Sequence, residues 1–153
     1  MTANETNITI SRVIDAPTNE IFDMLTLPQR HREFDGSEMV RSDEKSQRIQ
    51  GTGDTFVMNM HNARMGDHQM ENHVHVFAEN KLVGWQPKPV ADEAPGGWEW
   101  VYELESLDSG STEVTLTYDW SRVTDEQLLP KFPAVSEEQL GESLNRLAAA
   151  VAG

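Results

Sequence analysis

Apolar residues recur along this chain with two different periods, and the switches between them mark its elements. Ile8 and Ile10, followed by Val13 and Ile14, predict a first strand over Ile8 to Ile14. Asp15-Ala16-Pro17 breaks it. Pro17 suits the first turn of a helix, where its missing N–H is not needed, and Glu20 puts negative charge near the positive helix end. Ile21, Phe22 and Leu25 share one face at helical spacing. Pro28 opens a second short helix, which Phe34 and Gly36 close. From Met39 the period becomes two. Val40 to Glu44 predicts a short strand, Gly51 to Asp54 a turn, and Thr55 to His61 a strand with Phe56, Met58 and Met60 on one face. Asn62 to His68 is polar, contains Gly66 and predicts a loop. Gln69 to Phe77 is the next strand, and Leu82 to Gln86 its hairpin partner across the turn at Ala78 to Lys81. Pro87 to Gly97, with three prolines and two glycines, predicts the clearest loop of the chain.

The patterning is strongest after that loop. Trp98, Trp100, Tyr102 and Leu104 alternate with Glu99, Val101, Glu103 and Glu105. Val114, Leu116, Tyr118 and Trp120 alternate with Glu113, Thr115, Thr117 and Asp119, and Asp108 to Ser111 joins the two strands as a hairpin turn. Such patterning belongs to an antiparallel sheet with one buried and one wet face. The last element is a helix. Ser136 and Gln139 form a capping box, and Leu140, Leu144, Leu147 and Val151 make one apolar stripe. The expected fold class is therefore α+β: two short helices after strand one, a curved antiparallel sheet of about seven strands, and a long C-terminal helix. That helix is the only long amphipathic element, so it is expected to cover the concave face.

The length, 153 residues, suits one domain spanning 1–153. With no cysteine, disulfides, thiolate metal sites and cysteine nucleophiles are excluded. The net charge of −14 opposes nucleic-acid binding and docking on anionic membranes. Met1 to Thr6 has no basic segment leading into an apolar run, and no stretch is long and apolar enough to span a bilayer, so a cytoplasmic location is expected. Oligomeric state is not legible.

Candidate chemistry sits mainly on the aromatic face. Trp98, Trp100, Tyr102, Tyr118 and Trp120 face one side, either as ordinary core or as the wall of a pocket for a flat apolar molecule. Tyr102 and Tyr118 carry polar tips that could orient such a ligand. Met58, with Met60 and Met70, offers either gap-filling core or a deformable wall. Asn72 is polar among Met70, Val74 and Val76, and needs either backbone, water or ligand as partner. Gly141 adjoins the helix stripe beside Leu144 and leaves room there. The expected ligand-binding set is thus Met58, Asn72, Trp100, Tyr102, Tyr118, Trp120, Gly141 and Leu144. Alternation puts His73 and His75 with Glu71 and Phe77 on the solvent face, and His61 and His68 add no zinc-like spacing, so no metal is expected. Glu99, Glu103 and Glu105 read as a solvated row rather than a catalytic dyad. There is no phosphate loop, nucleophile elbow or metalloprotease motif, and no cofactor is expected.

Ile10 to Gly36 reads ISRVIDAPTNEIFDMLTLPQRHREFDG, and Gly53-Asp54-Thr55-Phe56 follows. The Ala-Pro step, the Ile-Phe helix and the Pro-x-x-His-x-x-Phe-Asp-Gly turn resemble the opening of the START-like, or SRPBCC, superfamily. This superfamily includes polyketide cyclase/dehydratase-like and activator-of-Hsp90-ATPase-like proteins. The resemblance implies a helix-grip fold, in which seven antiparallel strands wrap a C-terminal helix around a cavity. It also implies a lipid, polyketide or aromatic ligand, with His31 structural within its turn. Three readings stay open: a binding module for a small, largely apolar ligand, a cyclase/dehydratase-type enzyme, and a protein-interaction module of the Hsp90-activator kind. A fold shared by many activities does not choose among them.

Overall fold

The computed structural model describes residues 6–44 and 47–152. Its strands are β1 (Asn7–Ile14), β2 (Val40–Asp43), β3 (Thr55–Asn62), β4 (Gly66–Ala78), β5 (Leu82–Pro89), β6 (Glu99–Asp108) and β7 (Ser111–Asp119). They form one curved sheet in the order β1-β7-β6-β5-β4-β3-β2, with every neighbouring pair antiparallel. Helix α1 (Thr18–Leu25) and a 3-10 turn (Pro28–Glu33) form the corner after β1, and helix α2 (Glu137–Ala152) comes last. Pro17 stands at the N-cap of α1 in extended conformation, one position before the first turn.

The capping box closes reciprocally: the Ser136 amide donates to Gln139 Oε1 (2.9 Å), and the Gln139 amide donates to Ser136 Oγ (3.2 Å). Leu140, Leu144 and Leu147 are buried, while Val151 is half-buried at the fraying end. Helix α2 does not cover the concave face alone, as its apolar stripe had suggested. It packs over β1 and β7 and against the helical corner, while the 3-10 turn reaches across toward β2. The corner therefore roofs part of the sheet. Gly36 ties the two covers together. A Cβ there would overlap the Gln139 carbonyl oxygen and lie 2.7 Å from the Ser143 nitrogen. The bare backbone lets the Gly36 amide donate to Ser143 Oγ at 2.8 Å.

Three local expectations are corrected. Asn62 to His68 is not a loop. Asn62 pairs with Gly66, and its Oδ1 accepts from the amides of Arg64 (3.1 Å) and Met65 (2.7 Å), closing a tight hairpin. Gly66, at φ 67°, supplies the left-handed residue. Pro87 and Pro89 belong to β5, opposite Asn72 and Met70. The Val90 amide donates to Gln69 of the neighbouring chain segment, so by alternation the two proline nitrogens face the other edge. Pairing with β6 has already ended at Trp85–Trp100, so no ladder bond is lost there. Finally, the β4–β5 register shifts between Val74 and Val76. This one-residue bulge at His75 exchanges the faces that follow. Phe77 turns inward, with its ring 5.4 Å from that of Phe22. Val76 turns outward, beside Val101 and over Gly84.

Candidate functional site

The concave face carries a band of aromatic rings supplied by alternate positions of β3, β5, β6 and β7. It falls into two groups. Trp85 is the centre of the first. His31 stacks on it (centroids 5.1 Å apart, planes at 22°), Phe56 meets it edge-on at 5.4 Å, and Tyr102 tilts against it at 5.9 Å. Phe34 closes this group against Tyr102 and His31. Trp100 and Tyr118 form the second group, stacked 4.2 Å apart and nearly parallel. Trp120 flanks Tyr118 at 5.1 Å, and Phe132 packs on Trp98 and Trp120 from the segment that connects β7 to α2.

The polar tips divide the same way. The Ala134 amide donates to the Tyr118 hydroxyl oxygen at 3.1 Å, so that hydroxyl is held by the connecting segment. Burial pushes its pKa up to about 12, against a smaller opposing effect of the backbone amides of Ala134 and Val135. Tyr102 is 5% exposed, and its hydroxyl makes no hydrogen bond to any described residue. Burial, assisted by the Asp35 charge, raises its pKa, so it is a neutral hydroxyl throughout the physiological range. His31 Nε2 donates to the Leu25 carbonyl at 2.7 Å. Burial drives its pKa down to about 4, leaving a neutral ring whose Nδ1 is an acceptor.

Of the expected ligand-binding residues, Met58, Tyr102, Tyr118, Trp120 and Leu144 lie in one contiguous core, with Trp100 half-buried against it. Asn72 is inward and buried. Its Nδ2 reaches the Phe56 and Met70 carbonyls only at 3.4 Å, a weak backbone satisfaction. Gly141 is half-buried, and a Cβ there would meet nothing within 4 Å, so there is open space beside α2 at that point.

Residues 15–152 match the family of Activator of Hsp90 ATPase homolog 1-like proteins. The chain belongs to that family. It is 33% identical over 113 residues to the uncharacterized protein Rv0088 of Mycobacterium tuberculosis, across 72% of this chain and 47% of that one. The chain thus spans about half the length of the curated relatives it matches. Two solved structures share its fold. The aromatase/cyclase ZhuI from Streptomyces sp. R1128 has a TM-score of 0.67 and 13% identity, over 95% of this chain and 93% of that one. The Aha1 dimer from Colwellia psychrerythraea has a TM-score of 0.58 and 20% identity, over 96% of each. Together these place the chain in the START-like, or SRPBCC, superfamily with the α+β helix-grip architecture.

Within this Hsp90-activator-like fold, the central ring Trp85 was absent from the sequence-derived set, although its alternation with Val83 could have placed it inward. Phe132 had no such signal, because it lies outside any strand or helix. Three of the four histidines of β3 and β4 pair with carboxylates, while His68 Nδ1 lies 3.0 Å from the Gly66 carbonyl oxygen. His61 meets Asp67 at 2.8 Å, His73 meets Glu71 at 2.9 Å, and His75 meets Glu99 at 3.2 Å. Among the described residues no group of three or more His, Asp or Glu is placed to hold a metal. Lys88 is buried on the same outer face. Its ammonium donates to the Asp92 carbonyl at 2.6 Å, to those of Val90 and Pro89, and pairs with Glu71 at 3.2 Å. No helix among the described residues is long and apolar enough to cross a membrane. A surface depression of about 540 Å³ lies on the outer face, lined in part by Lys81, Glu103, Glu105 and Glu113, whose charges suit water rather than an apolar ligand.

Proposed function

We propose that this chain binds a small, largely apolar, planar molecule between the aromatic band and helix α2. The observation that carries this reading is the composition of the band. It brings together Trp85, Trp100, Tyr102, Tyr118 and Trp120 on one face, with half-buried Trp98 and Trp100 at its edge. Flat rings gain most from stacking against such surfaces. The rings pack on one another at 4.2 to 6.4 Å, so a ligand enters by displacing a ring such as Trp100 rather than by filling a ready chamber. Gly141 on α2 has nothing within 4 Å of where a Cβ would stand, so a larger side chain there can be introduced without a clash.

The neutral probe N-phenyl-1-naphthylamine tests this. Saturable binding with energy transfer from tryptophan is expected, and Gly141→Leu is expected to weaken it without unfolding the protein. A probe that never saturates overturns the reading. One that binds the variant as well as wild type moves the site away from α2.

A second reading takes the family's description at its word, as a module that stimulates the Hsp90 ATPase. The match over residues 15–152 favours it. Among the described residues the exposed large apolar side chains are Val13, Met65, Val90, Leu107 and Leu129, which belong to different strands, turns and connections. Hsp90 ATP turnover with and without this protein decides between them.

A further inference from the structure

We infer that the Tyr102 hydroxyl is the specificity-determining hydrogen-bond donor of this site, and that the ligand is a neutral planar molecule bearing an oxygen acceptor such as a ketone, ester or phenol. This rests on the binding reading proposed above and sharpens its substrate class. The two inward tyrosines have the same strand setting, since Tyr102 lies opposite Leu116 and Tyr118 opposite Trp100. They differ in what their oxygens meet. Tyr118 is occupied by the Ala134 amide. Tyr102 has no hydrogen bond to any described residue.

Its surroundings explain why no protein group takes it. Trp85 and Phe34 cover its ring, and Val83 and Leu116 are its cross-strand neighbours. Asp35 is the charged group that acts on it, yet that carboxylate is committed elsewhere. Its Oδ1 accepts from the Ser37 amide and hydroxyl, and its Oδ2 from the Val40 amide. The hydroxyl is also not sealed off. Among the described residues the only side-chain polar atom both fully enclosed and unpaired is His75 Nδ1, so the Tyr102 oxygen still borders space that a water-sized group can reach. Two more inward polar atoms flank the Trp85 ring group with acceptor capacity and no hydrogen bond: His31 Nδ1 and Asn72 Oδ1. A ligand ring lying along Trp85 would meet one donor and these acceptors. A carboxylate would be repelled by Asp35 and by the net charge of −14.

Two dyes of one shape separate the outcomes. 6-Propionyl-2-dimethylaminonaphthalene carries the ketone, and 2-dimethylaminonaphthalene lacks it. Tyr102→Phe is expected to weaken the ketone dye about tenfold, to move its bound emission to shorter wavelength, and to leave the ketone-free dye within about twofold, the scale of one hydrogen bond. Because the hydroxyl has no hydrogen bond to a described residue to lose, Tyr102→Phe is also expected to melt no lower than wild type, whereas Tyr118→Phe loses its bond to Ala134 and melts lower. If Tyr102→Phe weakens both dyes equally or neither, the hydroxyl does not select the ketone and the inference falls while the binding reading stands. If Tyr102→Phe is destabilised as much as Tyr118→Phe, the hydroxyl has a partner inside the protein and the inference also falls. If wild type binds neither dye saturably, the binding reading and this inference fall together.

Discussion

His31 makes the stability of this protein acid-sensitive in a defined window. The ring is 5% exposed, wedged between Trp85, Phe34 and Phe56, and its folded pKa lies near 4 against 6.5 in a free chain. The cause is burial, only partly offset by the bond to the Leu25 carbonyl. The folded pKa is depressed, so the unfolded chain takes up the proton first. Stability is full above about pH 6.5 and falls as pH drops toward 4. Integrating over that window gives a loss of about 2 kcal/mol by pH 5 and about 3 kcal/mol below pH 4. Urea denaturation at pH 7.5, 6, 5 and 4.5 measures it, with His31→Gln as reference. Glutamine can still donate to the Leu25 carbonyl but does not titrate. The other four histidines and the carboxylates, including Glu33 and Glu71 whose pKa values are lowered by hydrogen bonds from Arg30 and from His73 and Lys88, largely cancel in the difference. The wild type is expected to lose about 2 kcal/mol more than the variant between pH 7.5 and 5. Parallel curves for the two proteins would show that His31 is protonated freely in the fold, and the packing described for it would be wrong.

Three further outcomes are expected. Leu144→Ala removes a side chain that is 2% exposed in the α2 stripe and should cost about 2–5 kcal/mol, read as a lowered denaturation midpoint with unchanged slope. Gly36→Ala forces its new methyl into the backbone of α2 at Gln139 and Ser143 and should destabilise by more than the roughly 1 kcal/mol of an average substitution; an unchanged melting temperature would mean the corner does not touch α2. Lys88→Met removes the ammonium that gathers the carbonyls of Pro89, Val90 and Asp92, so limited proteolysis should cut the 90–97 segment faster than in wild type, with Glu71→Gln giving a smaller effect.

The parts of this molecule written in local periodicity were legible in its sequence. The alternation of Trp98 to Glu105 and of Glu113 to Trp120 gave β6 and β7 and their inward rings, and Ser136 with Gln139 gave the start of α2. What escaped has a non-local cause. The bulge at His75 inserts one residue into a ladder, and nothing in Val74-His75-Val76-Phe77 announces that Phe77, not Val76, turns inward. Pro87 and Pro89 read as breakers because the sequence does not show that β6 stops at Trp100 and frees that edge. Tyr102 and Tyr118 look alike within their strands. The difference between them is made by Ala134, on a segment whose path periodicity does not encode. His31 reads as structural within its turn, but its place on the Trp85 ring requires the tertiary fold.

The most direct test of ligand binding at the aromatic band is nuclear magnetic resonance of the four indole N–H groups during titration with 6-propionyl-2-dimethylaminonaphthalene. The Trp85 and Trp100 signals, assigned by single Trp→Phe variants, are expected to shift saturably with one common dissociation constant, which rises about tenfold in Tyr102→Phe. Indole signals that stay fixed while the dye perturbs only outer-face residues such as Glu103 and Glu113 would contradict it.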